Sequence, residues 1–329
     1  TGGDTGNLYA FFPSANDSEP LLLSAHMDTV VPGCHVQPRI SGDLIKSDGT
    51  TILGSDDKSG IAQIIWAIKE LQDAEFPCGP LEILFTISEE IGLLGAKFCD
   101  YSRLQSRLGF ALDTHHIGEL MIGAPSQNNL KFVIHGRESH AGVAPEDGLN
   151  AIKIAAAALV NLPSGRIDDE TTCNLGIING GKATNIVPNQ VFIEAEARSH
   201  NHQKLHDLCQ KMKHIMESTV ALHKLPDFTA SVEVEITESY QAFRLPLDSA
   251  VVKLGLAANR EMGINIEPAV GGGGSDANIF NQHGISMAVV GTGMNKVHTL
   301  QEEIRISDLE SGKNWVKEVI KIHSGKALS

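Results

Sequence analysis

The chain has 329 residues, 42% of them hydrophobic, and this length exceeds what one hydrophobic core usually serves, so two domains are expected. Against 26 basic side chains stand 40 acidic ones, a net charge of −14 that argues against a nucleic acid or an acidic membrane surface as partner. The five cysteines (Cys34, Cys78, Cys99, Cys173, Cys209) are odd in number and dispersed without a Cys-x-x-Cys pair, as in the reduced thiols of a cytoplasmic protein, and no apolar run approaches a membrane span.

The chain opens at Thr1 without a methionine and moves almost at once into a strand, so a segment preceding Thr1 is expected. Residues 1 to 118 alternate: strands are predicted near 7–13, 20–26, 81–88 and 108–113, with a helix over about 57–73. The run from Leu81 to Ile87 is almost wholly apolar, which suits a strand covered on both faces of a parallel sheet. From 119 to 238 the pattern changes to strand 130–136, Ala-rich helix 150–162, strands 173–178 and 191–198, long helix 202–222 and strand 229–237. That β-α-β-β-α-β order is the split arrangement of a ferredoxin-like domain. Between 239 and 329 the first pattern returns, with helices near 247–262 and 307–323 and a strand at 286–290. The simplest organisation is an α/β domain with a mostly parallel central sheet flanked by helices, interrupted by a ferredoxin-like α+β insert. The four-glycine loop Gly271–Gly274 lacks the endings and spacings of phosphate-binding loops.

Polar residues collect at the ends of the apolar runs: His26 and Asp28 after Leu21–Leu23, Glu89 and Glu90 after Ile87, and Asp113 after Leu112. The carboxyl ends of buried strands are where an open α/β sheet places its site. The pair Asp56-Asp57 precedes Ile61, Ile64, Ile65, Ile68 and Leu71, which repeat at helical spacing. By itself an acidic pair at a helix N-terminus is explained by capping and by the helix dipole.

Seven stretches taken together resemble the M20 family of dinuclear zinc peptidases and amidohydrolases, and within it the peptidase T-like members. They are Ser24–Val30, Gly54–Gly60, Ser88–Gly92, Leu112–Thr114, Glu138–Glu146, Gly273–Asp276 and Val297–Thr299. The resemblance implies one metal ion held by His26, Asp56 and Asp113 and a second by Asp56, Glu90 and His298, with Asp56 bridging. Two Zn2+ suit these donors, with Co2+ or Mn2+ as alternatives. Three ligand carboxylates and one hydroxide would balance two divalent cations. It further implies that Asp28 accepts the second N–H of His26, that Glu89 is the general base, and that the Asp56–Asp57 peptide is cis. Both glutamates can face one cavity only if the chain turns there, which Ile91-Gly92 allows. His140 would donate to the developing oxyanion from the inserted domain, which serves as lid and dimerisation domain of a homodimer. Asn185, Arg198, Gly274 and Ser275 would contact substrate, although an ordinary salt bridge accounts for Arg198 nearly as well. His115 and His116 read as solvated.

The implied activity is hydrolysis of short peptides with release of the N-terminal residue. A carboxypeptidase or an N-acyl amino acid deacylase would use the same metal site. A non-catalytic dimeric scaffold would keep the fold but shed the ligands, and here every ligand position is filled.

Overall fold

The computed structural model describes residues 3–14 and 19–325, which divide into two compact units: unit 1 runs up to Ala124 and resumes at Phe243, and unit 2 is Pro125–Ala242. In chain order, unit 1 begins with β1 (Leu8–Phe12), β2 (Leu21–His26), α1 (Ser55–Asp73), β3 (Leu81–Thr86) and β4 (Leu108–Ile117). Unit 2 contributes β5 (Ser126–His135), α2 (Ala151–Leu159), β6 (Thr171–Gly180), β7 (Gln190–Ser199), α3 (His202–Val220) and β8 (Ser231–Tyr240). Unit 1 then resumes with α4 (Ala250–Glu261), α5 (Asp276–Gln282), β9 (Ser286–Gly291) and α6 (Ile306–His323).

The six-stranded sheet of unit 1 runs β1-β3-β2-β4-β9, closed by the short strand Leu120–Met121. Its central strands are parallel, and only β1 and Leu120–Met121 at the two edges are antiparallel. β2 and β3 are buried at every position, as parallel strands covered on both faces must be. Even Glu82 is fully buried, and its carboxylate is satisfied by Tyr9 Oη at 2.8 Å and by the main-chain N–H groups of Gln105 and Ser106. Ile64, Ala67, Ile68 and Leu71 give α1 its buried stripe, which joins the core with Trp315, Val316, Val319 and Ile320 of α6 and Val251, Val252 and Ala258 of α4. Ile65, read from spacing as part of that stripe, is instead 51% exposed.

β2 and β4 approach so closely at Leu22 and Gly109 that a Cβ on Gly109 would meet the Leu22 carbonyl oxygen and, at 2.8 Å, the Leu22 Cβ. Gly109→Ala is therefore expected to lower unfolding free energy by about 1–3 kcal/mol in a denaturant titration. An unchanged midpoint would show that this contact is looser than described.

The sheet of unit 2 is antiparallel throughout and runs β6-β7-β5-β8, extended beyond β6 by the edge strand Gly165–Asp168. The expected β-α-β-β-α-β order is found with additions: Gly165–Asp168 between α2 and β6, and the short hairpin Lys224–Leu225 with Phe228–Thr229 between α3 and β8. Leu130, Phe132 and Ile134 alternate inward along β5 and pack with Ile154 and Ala155 of α2 and Leu208, Met212 and Met216 of α3. The unit boundaries lie past the expected 118/119 and 238/239. The reason is that Leu120–Met121 stays on the unit 1 sheet, while Gly123–Ala124 pairs with Phe243–Arg244. Among the described residues no helix is long and apolar enough to cross a membrane.

Candidate metal centre

Strand alternation aims the first two donors. Leu21, Leu23 and Ala25 of β2 belong to the core cluster, so Ser24 and His26 face the other side of the sheet. The same alternation along β4 buries Phe110 and Leu112 in that cluster and turns Asp113 to the side of His26. Asp56 stands at the head of α1, where Gly54 has φ +78° and neither Asp56 nor Asp57 is helical. The Asp56–Asp57 peptide is cis, as the resemblance implies. β3 stops at Thr86, and the chain turns through Ser88 (φ +56°), with hydrogen bonds from Gly92 N to Glu89 O (3.0 Å) and from Leu94 N to Ser88 O (3.0 Å). That turn frees Glu89 and Glu90 from strand alternation.

These elements bring the five expected ligands to one centre. His26 Nε2 lies 3.0 Å from Asp56 Oδ1 and 3.8 Å from Asp113 Oδ1. His298 Nε2 lies 3.2 Å from Asp56 Oδ2 and 3.1 Å from Glu90 Oε1. Asp56 thus turns one oxygen to each imidazole, the arrangement a bridging carboxylate needs. Donor atoms of His26, Asp56 and Glu90 all lie within 4.8 Å of one another, as do those of His26, Asp57 and Asp113. Asp57 is better explained as a brace than as a ligand. Its Oδ2 accepts from His26 N (3.1 Å) and its Oδ1 from Gly60 N (3.2 Å), so both oxygens are held by main chain.

The electrostatics fit a bound cation. Burial pushes the carboxyls of Asp113, Glu89 and Asp57 well above the ordinary range, and neighbouring carboxylates add to the effect. Burial also works to raise Asp56, but the His26 and His298 imidazoles beside it hold it below that range. His298, hydrogen-bonded to Asp56, is pushed up to about 9. Among the described residues no lysine or arginine forms an ion pair with Asp28, Asp56, Glu90 or Asp113; their partners are imidazoles. A buried group of carboxylates without an organic cation is the environment a divalent ion stabilises, and imidazole nitrogen with carboxylate oxygen suits zinc.

The model of "Peptidase family M20/M25/M40" matches residues 22–322. The chain belongs to peptidase family M20/M25/M40. A Bacillus subtilis relative, the uncharacterised protein YqjE, is 39% identical over 97% of this chain and 85% of its own. A solved tripeptidase from Staphylococcus aureus superposes with a TM-score of 0.90 at 36% identity, covering 97% of this chain and 85% of that one. The aminopeptidase PepT of Bacillus cereus gives 0.85 at 39% identity, covering 99% and 86%.

Around the centre, Asp28 meets the second nitrogen of His26 by two routes. The nearest acceptor for His26 Nδ1 is the main-chain carbonyl of Asp28 at 3.0 Å, and the Asp28 carboxylate stands farther off at 3.6 Å. Its oxygens accept instead from Glu89 N (3.0 Å) and Glu90 N (3.2 Å), so Asp28 holds the glutamate turn as well as lying beside the imidazole. Asp276 carried no role in the sequence reading. It is buried at the start of α5, accepts from Thr86 Oγ1 at 2.5 Å and is pushed by burial up to about 6. Neither contact was legible, because each joins residues far apart in the chain.

Gly274 and Ser275 line a cleft of about 280 Å³ with Asp113, Met121, Phe243 and Val289, all in unit 1. The Ser275 hydroxyl accepts from Ala277 N (3.3 Å) as the cap of α5, so the side chain is committed to the helix. In unit 2, His140 and Asn185 are exposed neighbours: Ala141 N donates to Asn185 O at 3.0 Å, and His140 pairs with Ile186 as an isolated bridge. Arg198 is held in two-pronged fashion by Glu196, with Nε to Oε1 at 3.0 Å and Nη2 to Oε2 at 2.9 Å. Its salt bridge therefore accounts for it without a substrate. His115 and His116 lie towards the end of β4 and line a second cavity with Asp308 and Arg305, and His115 also lines the cleft beside Asp113.

Proposed function

We propose that this M20 peptidase releases the N-terminal residue of short peptides, using two Zn2+ held by His26, Asp56, Glu90, Asp113 and His298. The observation that carries the reading is the division of Asp56, with Oδ1 on His26 and Oδ2 on His298. The partition expected for the two ions assigns His26 and Asp113 to one, Glu90 and His298 to the other, and Asp56 to both. Bound there, two divalent ions would supply a nucleophilic hydroxide at neutral pH and polarise the scissile carbonyl. Co2+ and Mn2+ are the alternatives for the same donors.

The chain's own part is proton transfer and positioning. Glu89, enclosed and with its carboxyl raised by burial, takes a proton from the attacking water and delivers it to the leaving amine. Asp28 holds the Glu89 and Glu90 main chain, which keeps base and ligand in fixed relation. On the same resemblance we assign His140 to the developing oxyanion and Asn185 to the substrate's carboxylate or amide, with unit 2 as the lid and dimerisation domain of a cytoplasmic homodimer. Arg198 would grip the same group of the substrate by exchanging its pairing with Glu196.

The solved relatives described as a tripeptidase and an aminopeptidase support release of the N-terminal residue over other M20 chemistry. The test is to offer a free tripeptide, an N-blocked tripeptide and an N-acyl amino acid to the metal-loaded protein. Cleavage of the free tripeptide at its first bond is expected, with the other two left intact. Turnover of the blocked peptide alone would indicate a carboxypeptidase, and turnover of the N-acyl amino acid alone a deacylase; either would overturn the proposal.

A further inference from the structure

We infer that Glu302 is a positioning residue of the metal centre, joining the loop that carries Asp56 to the loop that carries His298. The inference rests on the two-metal reading above and adds a residue to it. Glu302 is 1% exposed, and its carboxylate collects four donors from a single segment. Oε2 accepts from Leu53 N at 2.7 Å and Gly54 N at 2.8 Å, while Oε1 accepts from Ser55 Oγ at 2.6 Å and Asp56 N at 3.1 Å. The first N–H groups of a helix have no partner within it, and the N-cap of α1, Gly54, offers no side chain. Glu302 supplies that acceptor for Asp56 N from 246 residues along the chain, with the charge the helix dipole favours, and its other oxygen holds Leu53 N and Gly54 N just ahead of the helix. The left-handed φ of Gly54 is what lets donors from four successive residues, 53 to 56, curl around one carboxylate.

A cap alone would be a structural device. What couples it to the site is the loop on the other side. Asn295 and Glu303 exchange both main-chain hydrogen bonds at 3.0 Å, closing residues 295–303 into a loop with His298 inside it. Within it, Glu302 N donates to Thr299 O at 3.1 Å, and Thr299 Oγ1 donates to Lys296 O at 2.7 Å. The His298 side chain is 52% exposed, so core packing does little to place it. Its distance of 3.2 Å to Asp56 Oδ2 is held from both ends by Glu302, which fixes the main chain of Asp56 and anchors the His298 loop.

The test compares wild type and Glu302→Gln by competition titration of Zn2+ against a chromophoric chelator, together with the thermal midpoint of the metal-free forms. An amide turns N–H groups towards donors, so the clamp is half lost. Partners that orient metal ligands typically change affinity by about 10–100-fold. The expected result is a Kd for the more weakly held ion raised by about that factor. Equal Kd values in both proteins, with only the metal-free midpoint lowered, would make Glu302 a purely structural cap and overturn the inference. Wild type that binds no Zn2+ would overturn the two-metal reading itself, and the inference with it. Should Glu302→Gln fail to fold, Ser55→Ala decides the question. It removes one of the four donors and is expected to raise the same Kd by about threefold; an unchanged value overturns the inference.

Discussion

Replacing Glu89 with Gln is expected to lower kcat for tripeptide cleavage by about 10²–10⁴-fold, the range a positioned acid–base group contributes. The substitution is nearly isosteric and leaves Glu89 N free to donate to Asp28 as before. The turn and the placement of Glu90, the proposed neighbouring ligand, should therefore persist, and the variant should retain wild-type metal content and thermal midpoint. A carboxyl can accept the water's proton and pass it on, whereas an amide cannot. Because the burial that raises the Glu89 carboxyl is a property of the enclosing chain, Glu89→Asp should recover only part of the rate: the shorter arm changes the reach to the water. Full activity in Glu89→Gln would remove this residue from the mechanism.

Asp56→Asn is expected to weaken both ions together. Each oxygen of Asp56 faces a different imidazole, and an amide offers one neutral acceptor where the carboxylate offers two charged ones. An effect at least as large as that of losing a supporting partner, about 100-fold in Kd, follows for each site. Metal content per chain after dialysis reads this out directly, with loss of peptide cleavage alongside. A second readout does not depend on catalysis. A ligand that binds only the folded form stabilises it by about 2.7 kcal/mol at a free concentration of 100 times Kd. A chelator should therefore lower the wild-type unfolding midpoint and leave that of Asp56→Asn almost unmoved. If Asp56→Asn lost a single ion and kept the other at wild-type affinity, the bridging role would be wrong.

The features legible in the chain were those carried by short stretches. The apolar runs at Leu21–Leu23 and Leu81–Ile87 are β2 and β3, the insert has the expected strand and helix order, and the turn required by Glu89 and Glu90 falls at Ser88 and Gly92. What no short stretch showed was of another kind. α5 has seven residues, too few for an apolar period to register, and its capping by Ser275 leaves that side chain less free for substrate than expected. Asp28 was read from its closeness to His26 in sequence, but its carboxylate is engaged by the main chain of Glu89 and Glu90, 61 and 62 residues away.

The sequence by itself placed His26, Asp113 and the Glu89-Glu90 pair at the ends of apolar runs, because strand-end placement is a property of a few consecutive residues, and only the resemblance to the M20 family joined them with Asp56 and His298 as an expected ligand set. Only the tertiary structure decided how that set is held. Asp57 on His26, Asp28 on the glutamate turn and Glu302 on the Asp56 loop are hydrogen bonds between segments 31 to 249 residues apart. A buried carboxylate must find its donors wherever folding brings main-chain N–H groups, and no local pattern records which loop that will be.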